Sequence, residues 1–118
     1  MRLRSDIWVA AYIRRVNASG GFAVLQRRGA DEAGAIYIAV EDDDRMHDLY
    51  VPAPQSVLDD DDGDRRFRRH PESGKLDALR LSELLQRETR FDTDLWVVAV
   101  EDRERRHFLD NSIVGDAD

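Results

Sequence analysis

The sequence contains no cysteine, a single lysine and no long hydrophobic run. Without cysteine the chain has neither a disulfide framework nor a thiolate metal site, and a cysteine nucleophile is excluded. The longest apolar run, residues 7–13, is too short to cross a bilayer. It lies between Asp6 and Arg14 and leads to no small-residue cleavage site, so a signal peptide is not predicted. We therefore expect a cytoplasmic protein with no membrane partner.

The composition is rich in charge of both signs. Charged residues make up 36% of the 118 residues, and 25 acidic against 18 basic residues give a net charge of −7. Nonspecific affinity for nucleic acid comes from neutralising phosphates, so this balance disfavours a general nucleic-acid binder, although it is compatible with a local basic patch. The length fits one domain over residues 1–118. A chain of this size buries about two-thirds of its unfolded surface, which is enough for a core without a structural metal or a cofactor.

Hydrophobic periodicity predicts two helices and four or five strands. The first helix is predicted to follow Ser5 as its N-cap and to end at Ser19-Gly20-Gly21, and the second lies within residues 76–90. The predicted strands are 22–28, 35–41, 46–51 and 95–101, with 107–109 as an optional short edge strand. Because the connections among the first three strands are too short for crossovers, they predict an antiparallel meander. The predicted fold is a single α+β domain, ordered helix-strand-strand-strand-helix-strand(-strand), with a mostly antiparallel four- to five-stranded sheet and two helices.

The predicted core is built around Trp8, Tyr12, Trp96 and Val98. Trp8 and Tyr12 share the apolar face of the first helix, for which Ser5 is predicted as the N-cap. The strand at 95–101 places Trp96 and Val98 on one face and other apolar side chains on the opposite face. That pattern predicts a central strand covered on both sides, with both tryptophans largely buried.

Two segments are predicted to lack regular structure. Residues 55–74 are predicted as a mobile charged loop, and residues 110–118 as a loose C-terminal tail. The loop contains few bulky apolar residues, so burial offers little to offset the conformational entropy lost on ordering. Asp–Arg pairs at i,i+4 leave a local helix as an alternative within the loop.

A basic cluster within that loop is the best interaction candidate. It consists of Arg65, Arg66, Phe67, Arg68 and Arg69. Arginine and aromatic residues are enriched where proteins meet, and an aromatic side chain among arginines can anchor or stack. Nucleic acid, an acidic protein surface or the acidic run at 59–64 of the same chain could each be the partner. The adjacent acidic run is favoured in the isolated molecule.

Glu88 shares a helical stripe with Leu81, Leu84 and Leu85, where an unpaired carboxylate would be costly. A functional acid with a shifted pKa and simple exposure at the end of the stripe are two alternatives. A structural ion pair with an arginine is the preferred interpretation, so Glu88 is a structural ion-pair candidate.

No set of residues points to catalysis or to a metal site. The order of elements matches the core of metal-dependent nucleases, for which Glu41, Asp42 and Asp48 could supply carboxylates. The lysine that such a site needs beside them is missing, because Lys75 lies in the loop region. The acidic run at 59–64 lacks the ligand spacing of a calcium loop, and the three histidines lack that of a zinc site. No catalytic residue or metal ligand is predicted.

Several segments together resemble one bacterial family. They are RLRSDIWVAAY at 2–12, GGFAV at 20–24, RRG at 27–29 and RFDTDLWVV at 90–98. With them the chain resembles the small proteins of domain of unknown function 1491, over nearly its whole length outside residues 55–75. It departs from the family pattern at Thr93, where proline is common, and at Ala99, where an acidic residue is common. The resemblance implies a shared fold class and implies no reaction.

These observations favour a small cytoplasmic protein without enzymatic activity, an interaction or adaptor module with a protein partner. The alternative is a nucleic-acid-associated protein, either a degenerate nuclease-like domain or a binder that uses the arginine cluster. An adaptor should capture a discrete protein, whereas a nucleic-acid protein should retard DNA or RNA in a salt-dependent way.

Overall fold

The computed structural model describes residues 3–54 and 65–115. The elements in these residues are α1 (Ser5–Ala18), β1 (Phe22–Arg27), β2 (Ile36–Glu41), β3 (His47–Pro52), β4 (Phe67–Arg69), α2 (Ala78–Phe91), β5 (Trp96–Glu101) and a short 3-10 helix (Asp110–Ser112). Both predicted helices and the four main predicted strands are present, and β4 is an additional strand. None of the helices in the described ranges is long and apolar enough to span a membrane.

The five strands form one mixed sheet in the order β1-β5-β2-β3-β4. β2 and β3 pair as an antiparallel hairpin, as predicted. β1 does not pair with β2, because β5 lies between them, antiparallel to β1 and parallel to β2. The predicted meander of the first three strands is therefore wrong. β5 is the most apolar strand, and only a central position covers both of its faces. The α+β class with a mostly antiparallel sheet is confirmed, since β3 and β4 also pair antiparallel.

The two helices cover opposite faces of the sheet. The core cluster on the α1 side includes Val9, Tyr12, Val16, Ile38, Trp96, Val98 and Val100. The cluster on the α2 side includes Leu49, Leu81, Leu84, Leu85, Leu95 and Val97. β5 contributes alternate side chains to both clusters, which confirms the prediction of a central strand covered on both sides.

Three of the four predicted core residues are fully buried. Tyr12 and Trp96 are 1% exposed, and Val98 is 0% exposed. Trp8 is only partly buried, less than predicted. Its indole stacks on the ring of Tyr12 with centroids 5.1 Å apart, and on the ring of Phe67 at 5.4 Å. Phe67 belongs to β4, and among the described residues no strand lies beyond β4 to cover the rest of the indole.

The turn between β1 and β2 encloses Trp96. The indole N–H donates a hydrogen bond to the carbonyl oxygen of Ala30, at 2.7 Å. Gly29 and Gly34 approach the start of β5 so closely that a Cβ at either position would overlap with the Asp94 carbonyl oxygen. Glycine is therefore required at both positions by the close approach of two backbones.

The first helix begins without the predicted cap. Arg4 occupies the N-cap position and makes no side-chain cap bond. Ser5 is the first helical residue, is 0% exposed, and donates a hydrogen bond from its hydroxyl to the carbonyl oxygen of Gly34, at 2.7 Å. The prediction of Ser5 as the N-cap is wrong, because its hydroxyl joins α1 to the β1–β2 turn.

Part of the segment predicted as an irregular loop is regular structure. β4 pairs with β3, and the backbone N–H of His70 donates to the carbonyl oxygen of Leu49 at 2.8 Å. This contradicts both the expected absence of structure and the alternative of a helix for residues 65–70. Residues 55–64, with the acidic run, lie outside the described residues.

The predicted C-terminal tail also contacts the sheet. Ile113 forms a bridge with Phe67, and the N–H of Val114 donates to the Phe67 carbonyl oxygen at 2.8 Å. Residues 110–115 are therefore attached to β4 and are not a loose tail, whereas residues 116–118 lie outside the described part. The optional edge strand at 107–109 does not form.

Candidate functional site

The aromatic member of the predicted interaction cluster is part of the core. Phe67 is 1% exposed and packs against the partly exposed indole of Trp8. It is the bulkiest apolar side chain in residues 65–75, so its burial is the main hydrophobic gain available to β4. Phe67 therefore cannot serve as an exposed anchor, contrary to the prediction.

The arginines around Phe67 also make contacts within the chain. Arg65 donates to the carbonyl oxygen of Leu3 and to the hydroxyl of the first residue in α1, both at 2.9 Å. Arg69 forms an ion pair with the buried carboxylate of Asp48, at 3.1 Å. These contacts attach β4 to the body of the protein. A binding role for the four arginines, Arg65, Arg66, Arg68 and Arg69, stays a prediction.

Glu88 has a different partner from the one predicted. Its carboxylate accepts a hydrogen bond from the hydroxyl of Tyr37 on β2, at 2.8 Å. Burial, together with this bond, raises the pKa of Tyr37 above the ordinary value of a tyrosine. The preferred ion pair with an arginine is not found among the described contacts of Glu88. The hydroxyl of Tyr37 supplies the hydrogen bond that the half-buried carboxylate of Glu88 requires, in place of the predicted arginine.

Several carboxylates meet at one end of the sheet, where the parallel strands β2 and β5 end side by side. This group, here called the charged end, includes Glu41, Asp42, His47, Asp48, Asp102, Arg105 and Arg106. It brings together the three carboxylates that the sequence offered as metal ligands. Asp102 and the two arginines were missed, although the i,i+4 spacing of Asp102 and Arg106 is visible in the sequence.

Each aspartate of the charged end has an arginine partner. The pairs are Asp42 with Arg105, Asp48 with Arg69, and Asp102 with Arg106. Arg106 binds both carboxylate oxygens of Asp102, at 2.8 and 3.1 Å. Lys75 lies exposed on the turn before α2. Across residues 3–54 and 65–115, no group of three His, Asp or Glu side chains could hold a metal ion. The charged end therefore has the geometry of ion pairs.

The Asp102–Arg106 pair predicts a pH-dependent contribution to stability. Its hydrogen bond from Arg106 holds the pKa of Asp102 below the ordinary value. A carboxylate with a depressed pKa in the folded state stabilises that state above the unfolded pKa, and this stabilisation is lost as the pH falls through the folded pKa. We expect Asp102→Asn to lower the stability at pH 7 and to differ less from the wild type below about pH 4.

Urea unfolding of both proteins at pH 7 and at pH 3 measures this difference. The exposed Glu32→Gln serves as the control and should match the wild type at both values. A difference between Asp102→Asn and the wild type that stays constant with pH would contradict the role assigned to the pair.

The edge strand β1, at the other side of the sheet from β4, carries exposed apolar side chains. Phe22, Val24 and Leu25 of β1 are 54%, 43% and 41% exposed. Phe22 and Val24 lie on the α2 side of the sheet, whereas Leu25 lies opposite Val98 on the α1 side. We call the exposed side chains of these three residues, on the two faces of this edge strand, the β1 surface. β1 is an edge strand, and α2 lies over the other end of the same sheet face. This surface could not be predicted from the sequence, because an apolar strand has the same pattern in the centre of a sheet and at its edge.

The backbone of β1 is partly closed to further strands. The side-chain amide of Asn17 accepts from the N–H of Ala23 at 2.8 Å and donates to its carbonyl oxygen at 3.4 Å. These groups are on the open side of β1, so an added strand could not pair with Ala23. An edge protected in this way resists edge-to-edge aggregation.

The fold and this surface define a class of protein: a small α+β protein whose mixed five-stranded sheet has one helix on each face and an apolar edge strand partly uncovered. The model of a family of proteins of unknown function, DUF1491, matches residues 3–110. The chain belongs to the DUF1491 family, as the resemblance predicted. No curated protein matches it.

Solved structures of similar proteins agree with the fold. A crystal structure of a DUF1491 family protein from Caulobacter crescentus is 34% identical, with a TM-score of 0.78 over 96% of this chain and 98% of the other. An NMR structure of a DUF1491 family protein from the same organism gives 36% identity, a TM-score of 0.76, and 96% and 97% coverage. The solution structure of a protein from A. tumefaciens is 46% identical, with a TM-score of 0.75 over 86% of this chain and 87% of the other.

Proposed function

We propose that the protein is a non-enzymatic interaction module of the cytoplasm that binds another protein through the β1 surface. The observation that carries this proposal is the exposure of three large apolar side chains on one strand. Adjacent apolar groups on the surface of a soluble protein are typical of protein–protein contacts, where a partner removes them from water. The ion pairs of the charged end support the non-enzymatic part, since the aspartates there are already neutralised by arginines.

The Asn17 contact indicates how the partner would bind. Because the amide of Asn17 occupies the backbone groups of Ala23, a partner strand cannot extend the sheet at this position. The partner would instead contact the side chains of the β1 surface. This mode differs from strand addition, in which main-chain hydrogen bonds supply the affinity.

Substitution of the β1 surface is expected to abolish partner binding. Val24→Asp places a charge among the apolar contacts, and desolvating that charge against a partner is costly. Ile7→Asp is the matched control, because Ile7 is a similar aliphatic residue, 50% exposed on α1 at the other face of the sheet. The two variants and the wild type are immobilised and exposed to lysate of the native host, after thermal unfolding has shown that all three are folded.

We expect the wild type and Ile7→Asp to capture the same discrete protein, and Val24→Asp to lose it. Capture of no protein, or equal capture by all three, overturns the proposal. Retardation of DNA or RNA by the wild type at physiological salt, without a protein partner, would favour the nucleic-acid alternative instead.

A further inference from the structure

A groove between β1 and α2 adjoins the β1 surface. It has a volume of about 530 Å³, and its floor is formed by the buried side chains of Leu85 and Val97. The register places Phe22, Val24 and Arg27 opposite alternate residues of β5, with an irregularity between Leu25 and Arg27. Cross-strand partners share a face of the sheet, and Val97, the partner of Arg27, belongs to the core cluster on the α2 side. Phe22, Val24 and Arg27 therefore follow one another along the α2 side.

The groove is basic although the whole chain is acidic. Arg27 from β1 and Arg90 from α2 line it together with uncharged polar side chains, and none of the acidic residues in 3–54 and 65–115 does. No carboxylate of the described residues lies within ion-pair distance of either arginine, whereas the arginines of the charged end are paired. Arg27 is held in place by a hydrogen bond to the carbonyl oxygen of Thr93, at 2.8 Å. Its Nε is buried and has no hydrogen-bond partner among the described residues.

We infer that this groove binds a carboxylate side chain of the partner, within an extended acidic segment that also carries apolar residues. The inference rests on the proposed function and names the chemistry of the partner. Guanidinium groups are the preferred partners of carboxylates, because their planar donors match the two oxygens. The apolar floor and the neighbouring β1 surface then receive the apolar side chains beside the acidic residue.

Charge complementarity selects this occupant over the others. Two guanidinium groups that have no carboxylate partner among the described residues, beside an apolar floor, attract an anion and repel a basic segment. A second copy of this chain would have to bring its own acidic surface to the groove, and that would produce self-association. A nucleic acid would offer phosphates, but it would also meet the net charge of −7 of the whole chain.

The test is a selection from a library of random twelve-residue peptides displayed on phage, with the wild-type protein immobilised. We expect the selected peptides to be enriched in Asp or Glu next to Leu, Ile, Val or Phe. The strongest peptide is then synthesised, and its affinity is measured by fluorescence polarisation. Arg90→Gln, at an exposed position on α2, should weaken binding tenfold or more, and raising the salt concentration should weaken binding to the wild type.

Arg14→Gln is the matched control, because Arg14 is an exposed arginine on α1, at the other face of the sheet. Its affinity for the peptide should equal that of the wild type. Arg27→Gln provides a second variant of the groove and should weaken binding in the same direction as Arg90→Gln. Retained thermal unfolding transitions show that each variant is folded.

Four results would overturn the inference. They are selected peptides without acidic enrichment, an unchanged affinity in both groove variants, self-association that depends on Arg90, and a library that yields no binder while capture from host lysate succeeds. Loss of binding in Val24→Asp but not in Arg90→Gln or Arg27→Gln would leave the proposed function standing and reject the basic groove alone.

Discussion

Replacement of Phe67 by alanine is expected to lower the free energy of unfolding by about 3–5 kcal/mol. The ring is 1% exposed and belongs to the core cluster on the α1 side, so its removal leaves a cavity between α1 and the sheet. Trp8 would lose one of the two rings on which it stacks and would keep Tyr12. Urea unfolding followed by tryptophan fluorescence measures the change, because Trp8 reports directly on this contact.

The control for this variant is Phe91→Ala. Phe91 is 86% exposed at the end of α2, so its truncation should change the free energy of unfolding by no more than about 0.5 kcal/mol. Equal losses in the two variants would show that the loss does not depend on burial. A loss below about 1 kcal/mol in Phe67→Ala would mean that β4 contributes little to the core, contrary to the structure.

Gly34→Ala is expected to destabilise the protein by about 1–3 kcal/mol or more, because an added methyl group in a packed site forces the surroundings to move. The methyl group would overlap with the carbonyl oxygen of Asp94, which belongs to the backbone and cannot rotate away. The carbonyl oxygen of Gly34 also accepts a hydrogen bond from the hydroxyl of buried Ser5. A shift of the backbone at Gly34 would therefore disturb the start of α1.

Thermal unfolding followed by circular dichroism measures this effect. Ala33→Ser, at the neighbouring exposed position, is the control and should change the stability by no more than about 0.5 kcal/mol. If Gly34→Ala unfolds at the wild-type temperature, the turn is not packed against the start of β5. Gly29→Ala provides an independent check, since its methyl group would meet the same carbonyl oxygen.

The elements of the fold could be read from the sequence more readily than their arrangement. The alternation in residues 95–101 predicted that β5 is covered on both faces, and both core clusters confirm it. The same alternation contains no information about which strand lies beside it. Short connections suggested that β1 and β2 pair directly, but burial of both faces of β5 outweighs that local preference. Strand order thus depends on contacts between distant segments.

The candidate sites show a similar limit. Phe67 among four arginines has the composition of an exposed contact, yet alternation along β4 turns its ring into the core. The partner of Glu88 could not be read from the sequence either, because Tyr37 lies on a strand far along the chain. Exposure of the β1 surface follows from the position of β1 at the edge of the sheet, which the strand order alone determines.

The position of β5 has a consequence for how a nascent chain folds. β2 begins at Ile36, but β5, which pairs parallel with it, begins only at Trp96. β1 also pairs with β5 and so lacks its neighbour until β5 has been made. The ribosome therefore releases β1 and β2 before it has made β5, the strand that pairs with both of them. Pairing between segments so far apart in sequence slows folding, since loop closure precedes the contacts that reward it. Until Glu101 has emerged, β1 has no strand to pair with, and its apolar side chains are exposed to chaperones and to other chains.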